Sequence, residues 1–527
     1  MKDHLLDGET DTQTGVFDNG GLLIPDGEDM SITAERAFIS NGSMAVVLKD
    51  EETAYAIVVK SPLINVEGTT LAAETDGAYQ PGVKYTFLKA AGSAIGGDFL
   101  TKAGDDFTDL LDVRELKNEG SSAWVMLGID DDDIEDEDEQ VVVSELGEML
   151  EEEGTAPGGE GSGTKPDEGG SSKPDEGGSS KPDEGSEQSG GTKPPALSPS
   201  EKQAVTTLFS RKDGSGKQAL SDIADNEAAA AAALTMRRER VGRAVAARAG
   251  WLNDLPPLEA KKAHYWYKAE KDWDRFGSAS IKGAGHAFTL GADWAGRSGW
   301  TFGILGQYGR DSWYTSGATR TSMKVHDWRL GLYAINRTGP NELSLHAALG
   351  RQTHENSETV LGSHTAESRY HSTTQELGLR FSRDLTPGKT WHLKPYAALQ
   401  LTRYAQEAFD QTGNPPWKLH SDSFARLYSA AALGLGVSRS MEGGQFGFSV
   451  GVKRVLSGHD PAIWTRLSRS SRGYRSESPR FDRTLLTLSA QGEWVLSKNW
   501  SANFGLELEQ GRHDRTFSAK AAFCLTW

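Results

Sequence analysis

Cysteine is almost absent. Cys524 is the only one among 527 residues, which excludes an intrachain disulfide and any zinc site built from several cysteines. Three residues from the end, it reads as a small strand side chain. No run of about 18 apolar residues occurs, so no transmembrane helix fits the sequence. Strands of about ten alternating residues are still allowed, and a barrel crosses a membrane with those. The opening MKDHLLDGET lacks a basic stretch followed by an apolar core, so no secretory leader is visible there. An exported form would then be the carboxy-terminal part of a longer protein. Tryptophan is scarce in the front of the chain, where Trp124 is the one residue of 14 that precedes position 250. Bases are scarce there too: residues 1–200 hold 44 acids and 13 bases, and the remainder holds 31 acids and 43 bases. The net charge of -19 therefore joins two unlike halves, in a chain too long for one ordinary domain.

Residues 14–128 read as short strands broken by Gly, Asn and Asp turns, among them TAYAIVVK, VKYTFLKAAG and SSAWVMLGI, and helical periodicity is missing. An acidic run, DDDDIEDEDE at 130–139, lacks the spacing of a calcium loop, and its like charges favour an extended, solvated chain. KPDEGGSS stands at 165 and 173, with a shortened copy at 181 and no large apolar side chain to bury. The span 129–215 is therefore expected to be a disordered linker. Residues 216–252 contain DNEAAAAAALTMRRERVGRAVAARAGWL, with acids in front, arginines behind and Gly250 as a stop, the pattern of one long helix. About 26 helical residues would span about 39 Å.

From residue 264 the pattern changes to period two. In WSANFGLELE, Trp500, Ala502, Phe504, Leu506 and Leu508 face one way while Ser501, Asn503, Gly505, Glu507 and Glu509 face the other. Twelve such strands begin near 264, 283, 299, 324, 341, 368, 391, 426, 444, 482, 499 and 515. The connections AGRSG, RTGPN, LTPGK, SMEGG and LSKN are short, and the alternate ones read as mostly long and polar. Trp294 and Trp300 flank one short turn, and Trp494 and Trp500 another, as an interfacial aromatic girdle would. These features predict an all-β, twelve-stranded antiparallel transmembrane barrel over 264–527. A soluble sandwich also alternates, but does not explain the alternating loop lengths. GFSVG, a match to G-x-S-x-G, lies inside one of these strands, so Ser449 has no strand-to-helix turn to lift it and no nucleophilic role.

An even strand count puts both barrel ends on the short-turn side. The preceding helix then fits inside the lumen, where Arg237, Arg238, Arg240, Arg243 and Arg248 could meet inward-facing Glu493, Glu507 and Glu509.

Barrel, preceding helix and the aromatic last residue Trp527 together resemble the monomeric autotransporters of the type V secretion family. GAYQPGVKYTFLKAAGSAIGGDF at 77–99 is similar to the end of an autotransporter passenger, which makes 14–128 a β-helix stem that assists passenger folding. The resemblance implies an outer-membrane translocator that delivers its own amino-terminal passenger to the cell surface and acts as a monomer, not an enzyme. It also implies periplasmic chaperones, a barrel-assembly machinery that reads Phe523, Leu525 and Trp527, and contact with outer-membrane lipid and lipopolysaccharide. No cofactor, metal or nucleic acid is implied. Some members cleave between two asparagines in the helix; here only Asp225-Asn226 is nearby, so no self-cleavage is expected. Two other readings are kept. One is an adhesin or passive pore whose loop with Arg466, Arg469, Arg472, Arg475 and Arg480 meets anionic glycans. The other is a rim hydrolase using His459 with Asp460 or His513 with Asp514.

Overall fold

The computed structural model describes residues 10–11, 16–25, 28–49, 53–73, 79–100, 107–130, 134, 136–154, 197–212, 214–224, 227–251, 263–277, 280–315, 320–387, 389–497 and 499–526. Among these, no helix is long and apolar enough to cross a membrane.

The front of the chain winds into three parallel sheets, because strands one coil apart stack in register. Met30 lies opposite Ile57 and Ile57 opposite Leu88 on one side. Ser43 faces Thr70 on the second side, and Phe38 faces Ile64 on the third. Inward residues recur at each coil and fill the centre: Phe38, Met44, Val46, Ile57, Val59, Ile64 and Phe87 are fully or almost fully buried. Phe17 stacks on Phe38 along the coil at 5.4 Å. The antiparallel pair Leu111–Asn118 and Ser122–Ile129 closes the end.

The expected linker is in part folded. Helices α1 (Glu137–Gly154) and α2 (Pro199–Phe209) lie within 129–215. Acids dominate the composition of α1, yet Val142, Leu146 and Leu150 recur every fourth residue, and this stripe is buried against the stem. α2 starts at a capping box in which Ser198 and Glu201 bond reciprocally. The KPDEGGSS copies lie outside the described residues. The expected single helix is also divided, into α3 (Ser215–Ala224), α4 (Glu227–Met236) and α5 (Arg240–Trp251). α3 belongs to the stem, where Leu220 and Ile223 are buried. The second break falls at 237–239, three consecutive charged residues that reach different walls. Asp225-Asn226 lies outside the described residues.

Twelve long strands then form one closed sheet. They are β1 (Ala263–Phe276), β2 (Ile281–Ala295), β3 (Trp300–Thr315), β4 (Arg320–Thr338), β5 (Asn341–Val360), β6 (His364–Arg383), β7 (Trp391–Gln406), β8 (Phe424–Met441), β9 (Gly444–Ser457), β10 (Thr484–Val495), β11 (Trp500–Gln510) and β12 (Asp514–Thr526). β12 pairs antiparallel with β1 from His264↔Thr526 to Phe276↔Asp514, which leaves no edge. Each strand starts within about four residues of its expected position. Loop lengths differ from the expectation: only 407–423 and 458–483 are long on the far side, whereas 277–280, 316–319, 361–363 and 511–513 are short. Strands β4 to β6 simply run on, so their polar outer ends are strand and not loop.

The two long loops build a small sheet of their own from Phe409–Asp410, Leu419–Ser421, Ala462–Leu467 and Tyr474–Glu477. Trp417, Leu419, Leu467 and Tyr474 join the buried cluster of the stem. Arg469 bonds Glu201 at 2.8 Å, and Arg472 approaches Glu145 at 3.4 Å and Glu148 at 3.3 Å. Two of the arginines considered for glycan contact are thus engaged with the chain's own helices.

Burial pushes the Glu201 carboxyl up, but hydrogen bonds from Ser198 and the charge of Arg469 outweigh it and hold the group below its ordinary value. A depressed acid stabilises the fold above its unfolded pKa and loses that contribution as pH falls through the folded one. Protection of α2 and of loop 458–483 from limited proteolysis should therefore stay constant between about pH 7 and 5 and decline below about pH 4. A decline centred near pH 6 would point to a histidine instead.

Candidate functional site

Alternation along β1 aims His264, Trp266, Lys268, Glu270, Asp272 and Asp274 into the lumen and Tyr265, Tyr267, Lys271, Trp273 and Arg275 outward. α4 and α5 fill that lumen. Ala228 and Ala229 pack near Tyr370, Phe409 and Ile463 at the long-loop end, and Arg248 lies beside His264 at the short-turn end.

The helix arginines are clamped to one wall. Arg238 pairs with Asp274 and lies 3.1 Å from Asp311. Arg240, fully buried, donates to Asp311 at 2.7 and 2.8 Å and to Asp272 at 2.9 Å. Arg243 reaches Glu270 at 2.6 Å and Asp272 at 3.3 Å. Arg248 forks onto Asp293 at 2.6 and 2.9 Å. Arg237 meets the Asp482 carbonyl at 3.2 Å and Asp514 at 3.7 Å. Bidentate pairs of this kind fix orientation as well as charge. They need room: a Cβ on Gly285 would lie 2.0 Å from Asp311 Oδ1 and 2.4 Å from Arg240 Nη2. Gly285→Ala is therefore expected to destabilise the refolded barrel by about 1–3 kcal/mol, read as a lower urea midpoint. Gly306→Ala, where a Cβ meets nothing within 4 Å, should leave the midpoint unchanged.

All five expected arginines are in the lumen, but their expected partners are not the ones they use. Glu509 accepts from Lys453 at 3.2 Å, Glu507 lies 3.9 Å from Lys520, and Glu493 accepts from Gln445 at 3.1 Å. These three face inward as expected, on β10 and β11. Glu493 and Glu507 line a polar cavity of about 190 Å³ together with Arg243, Arg380, Lys394 and Lys520. The missed signal was the row of alternating charges in β1.

Trp294, Trp300, Trp494 and Trp500 are all exposed and stand at the short-turn end. Trp300 stacks on Phe302 at 5.8 Å, and Trp494 lies 6.2 Å from Phe504. Outward leucines and valines fill the belt above them, Leu330, Leu349 and Leu433 each about two-thirds exposed. A contiguous apolar exterior of this extent marks a membrane or partner surface. On β12, Phe523 and Leu525 face outward and Lys520 inward; Trp527 lies outside the described residues.

The hydrolytic candidates do not assemble. Ser449 hydrogen-bonds Ser489 across β9 and β10, in mid-strand. His459 lies 3.2 Å from Asp460 in a loop, and Asp514 is buried while His513 is exposed. One relay was not foreseen: His392 bridges Asp384 at 2.7 Å and Ser440 at 3.2 Å at the short-turn rim. The Ser440 amide already donates to the Thr390 carbonyl, so this serine lacks its own oxyanion donor and the trio reads as a tie between the β6–β7 turn and β8. Among the described residues, no three His, Cys, Asp or Glu converge to hold a metal ion.

Residues 263–507 match the family model described as the autotransporter beta-domain. Similar solved structures include the translocator domain of the autotransporter NalP from Neisseria meningitidis, at 16% identity over 54% of this chain and 93% of that one, with a TM-score of 0.45. The beta domain of the Bordetella autotransporter Brka is 17% identical over 50% of this chain and 98% of that one, with a TM-score of 0.39. The transport unit of the autotransporter AIDA-I from Escherichia coli is 13% identical over 54% and 97%, with a TM-score of 0.36. No curated protein matches the sequence.

Proposed function

The carboxy-terminal half of this chain is an autotransporter β-domain, an outer-membrane barrel, and from that premise we propose that it carries its own amino-terminal stem to the cell surface and holds it there. One observation carries this reading: α4 and α5 run the length of the lumen, with the stem at the long-loop mouth and both barrel termini at the opposite, short-turn end. Short turns face the periplasm in outer-membrane barrels, so the stem faces outward. Inside the lumen, the arginine clamps fix the helix after transit, and the two long loops seat the stem over the mouth. The role is transport and display, without catalysis, in a monomer. Periplasmic chaperones and the barrel-assembly machinery would act before that, reading the outward residues of β12.

A labelling experiment tests the topology. Native Cys524 is buried, so a single cysteine introduced at exposed Ser31 or at exposed Thr338 can be probed on intact cells with a membrane-impermeant maleimide. Ser31→Cys should react and Thr338→Cys should react only after the outer membrane is permeabilised; the reverse pattern contradicts the proposal.

A further inference from the structure

The outward face of the barrel carries a row of bases at one height. Arg275 on β1 lies directly opposite Arg515 on β12 and directly opposite Lys282 on β2, and all three are exposed. Side chains in such positions stand about 5 Å apart, so three like charges in one row repel one another. None of the three forms an ion pair among the described residues. The level continues through Arg310 on β3 and Arg403 on β7, both exposed. The outward acids Glu355 and Glu367 stand higher, on β5 and β6, where Glu355 lies 3.8 Å from Arg369 and away from the β12–β1–β2 row.

Height decides what the row can meet. These bases sit roughly 10 to 13 residues above the short-turn ends, each residue adding about 2.5 Å in a tilted strand, which places them about 25–33 Å above the tryptophan girdle. That is the outer boundary of an apolar band about 25 Å tall. Just below the row lies an apolar shelf, where exposed Trp273 is 5.6 Å from Phe517 and Lys271 Nζ sits 5.2 Å over the Trp273 ring.

We propose that the Arg515–Arg275–Lys282 row is a binding site for the phosphate groups of the outer-leaflet glycolipid, lipid A, with its acyl chains lying on Trp273 and Phe517. The guanidinium and ammonium groups match phosphate oxygens, and a bound dianion removes the repulsion that the empty row carries. The proposal rests on the outer-membrane reading and adds to it a place for the lipid.

The test uses the full chain refolded into phosphatidylcholine nanodiscs, titrated with bis-phosphorylated lipid A and separately with phosphatidylglycerol at equal charge. Wild type should bind lipid A, and R275Q/K282Q/R515Q should bind it at least ten-fold more weakly while keeping the heat-dependent gel shift of a folded barrel. R383Q/R439Q, which removes outward bases at the short-turn end, should bind as wild type does. Equal loss in both variants, unchanged binding in the triple variant, or equal affinity for phosphatidylglycerol overturns the site. Failure of the wild-type chain to enter the nanodisc at all instead overturns the membrane reading beneath it.

Discussion

Arg240→Ala is expected to open the pore. Arg240 is fully buried and bonded to Asp272 and Asp311, so its removal leaves two carboxylates facing one another without their shared cation. Breaking a buried pair from one side costs about 3–5 kcal/mol, more than the surrounding helix contacts can absorb without movement. Arg238 shares Asp311 and Arg243 shares Asp272, so the loss falls inside one linked network. Single-channel conductance in planar bilayers should rise several-fold, and the urea midpoint of the refolded barrel should fall. Unchanged conductance with an unchanged midpoint would mean that the helix is not held by these pairs.

Leu433→Arg should cost about 2–4 kcal/mol when stability is measured by reversible unfolding from phosphatidylcholine vesicles. Leu433 points outward, is 67% exposed, and lies opposite Val452 within the apolar belt. In a water-facing sheet the same exchange at an exposed site stays within about 0.5 kcal/mol. Depth supplies the internal control: Leu427, also outward but near the outer end of β8, should tolerate arginine at about 0–1 kcal/mol. Equal and small effects at both positions would remove lipid from the account.

The barrel was legible because period two is a strong constraint wherever one face must be apolar. WSANFGLELE announces β11, and Phe504 and Leu506 indeed face outward while Ser501 and Asn503 are buried inside. The lumen was harder to read. Alternation says that Glu507 and Glu509 face inward but not which wall the helix leans on, and that is decided by Gly285 and Gly309, whose missing Cβ atoms make room for Arg240. The charges that receive the helix were visible all along as Glu270, Asp272 and Asp274, spaced two apart on β1. α1 was hidden for a different reason: its acids dominate composition, while its burial depends on a few apolar residues every fourth position and on a stem surface that no local window contains. Outer strand ends such as His364–Ser368 read as loop because both of their faces are polar once they leave the apolar belt.

The most direct test of the central claim is protease shaving of intact cells that express this chain behind a supplied signal peptide, with a tag at residue 1. The tag should be lost from the surface while a membrane-embedded fragment covering about 227–527 survives, helix and barrel together. A tag that stays protected while the carboxy-terminal half is digested or released as soluble protein would contradict the barrel, the helix in its lumen and the display of the stem.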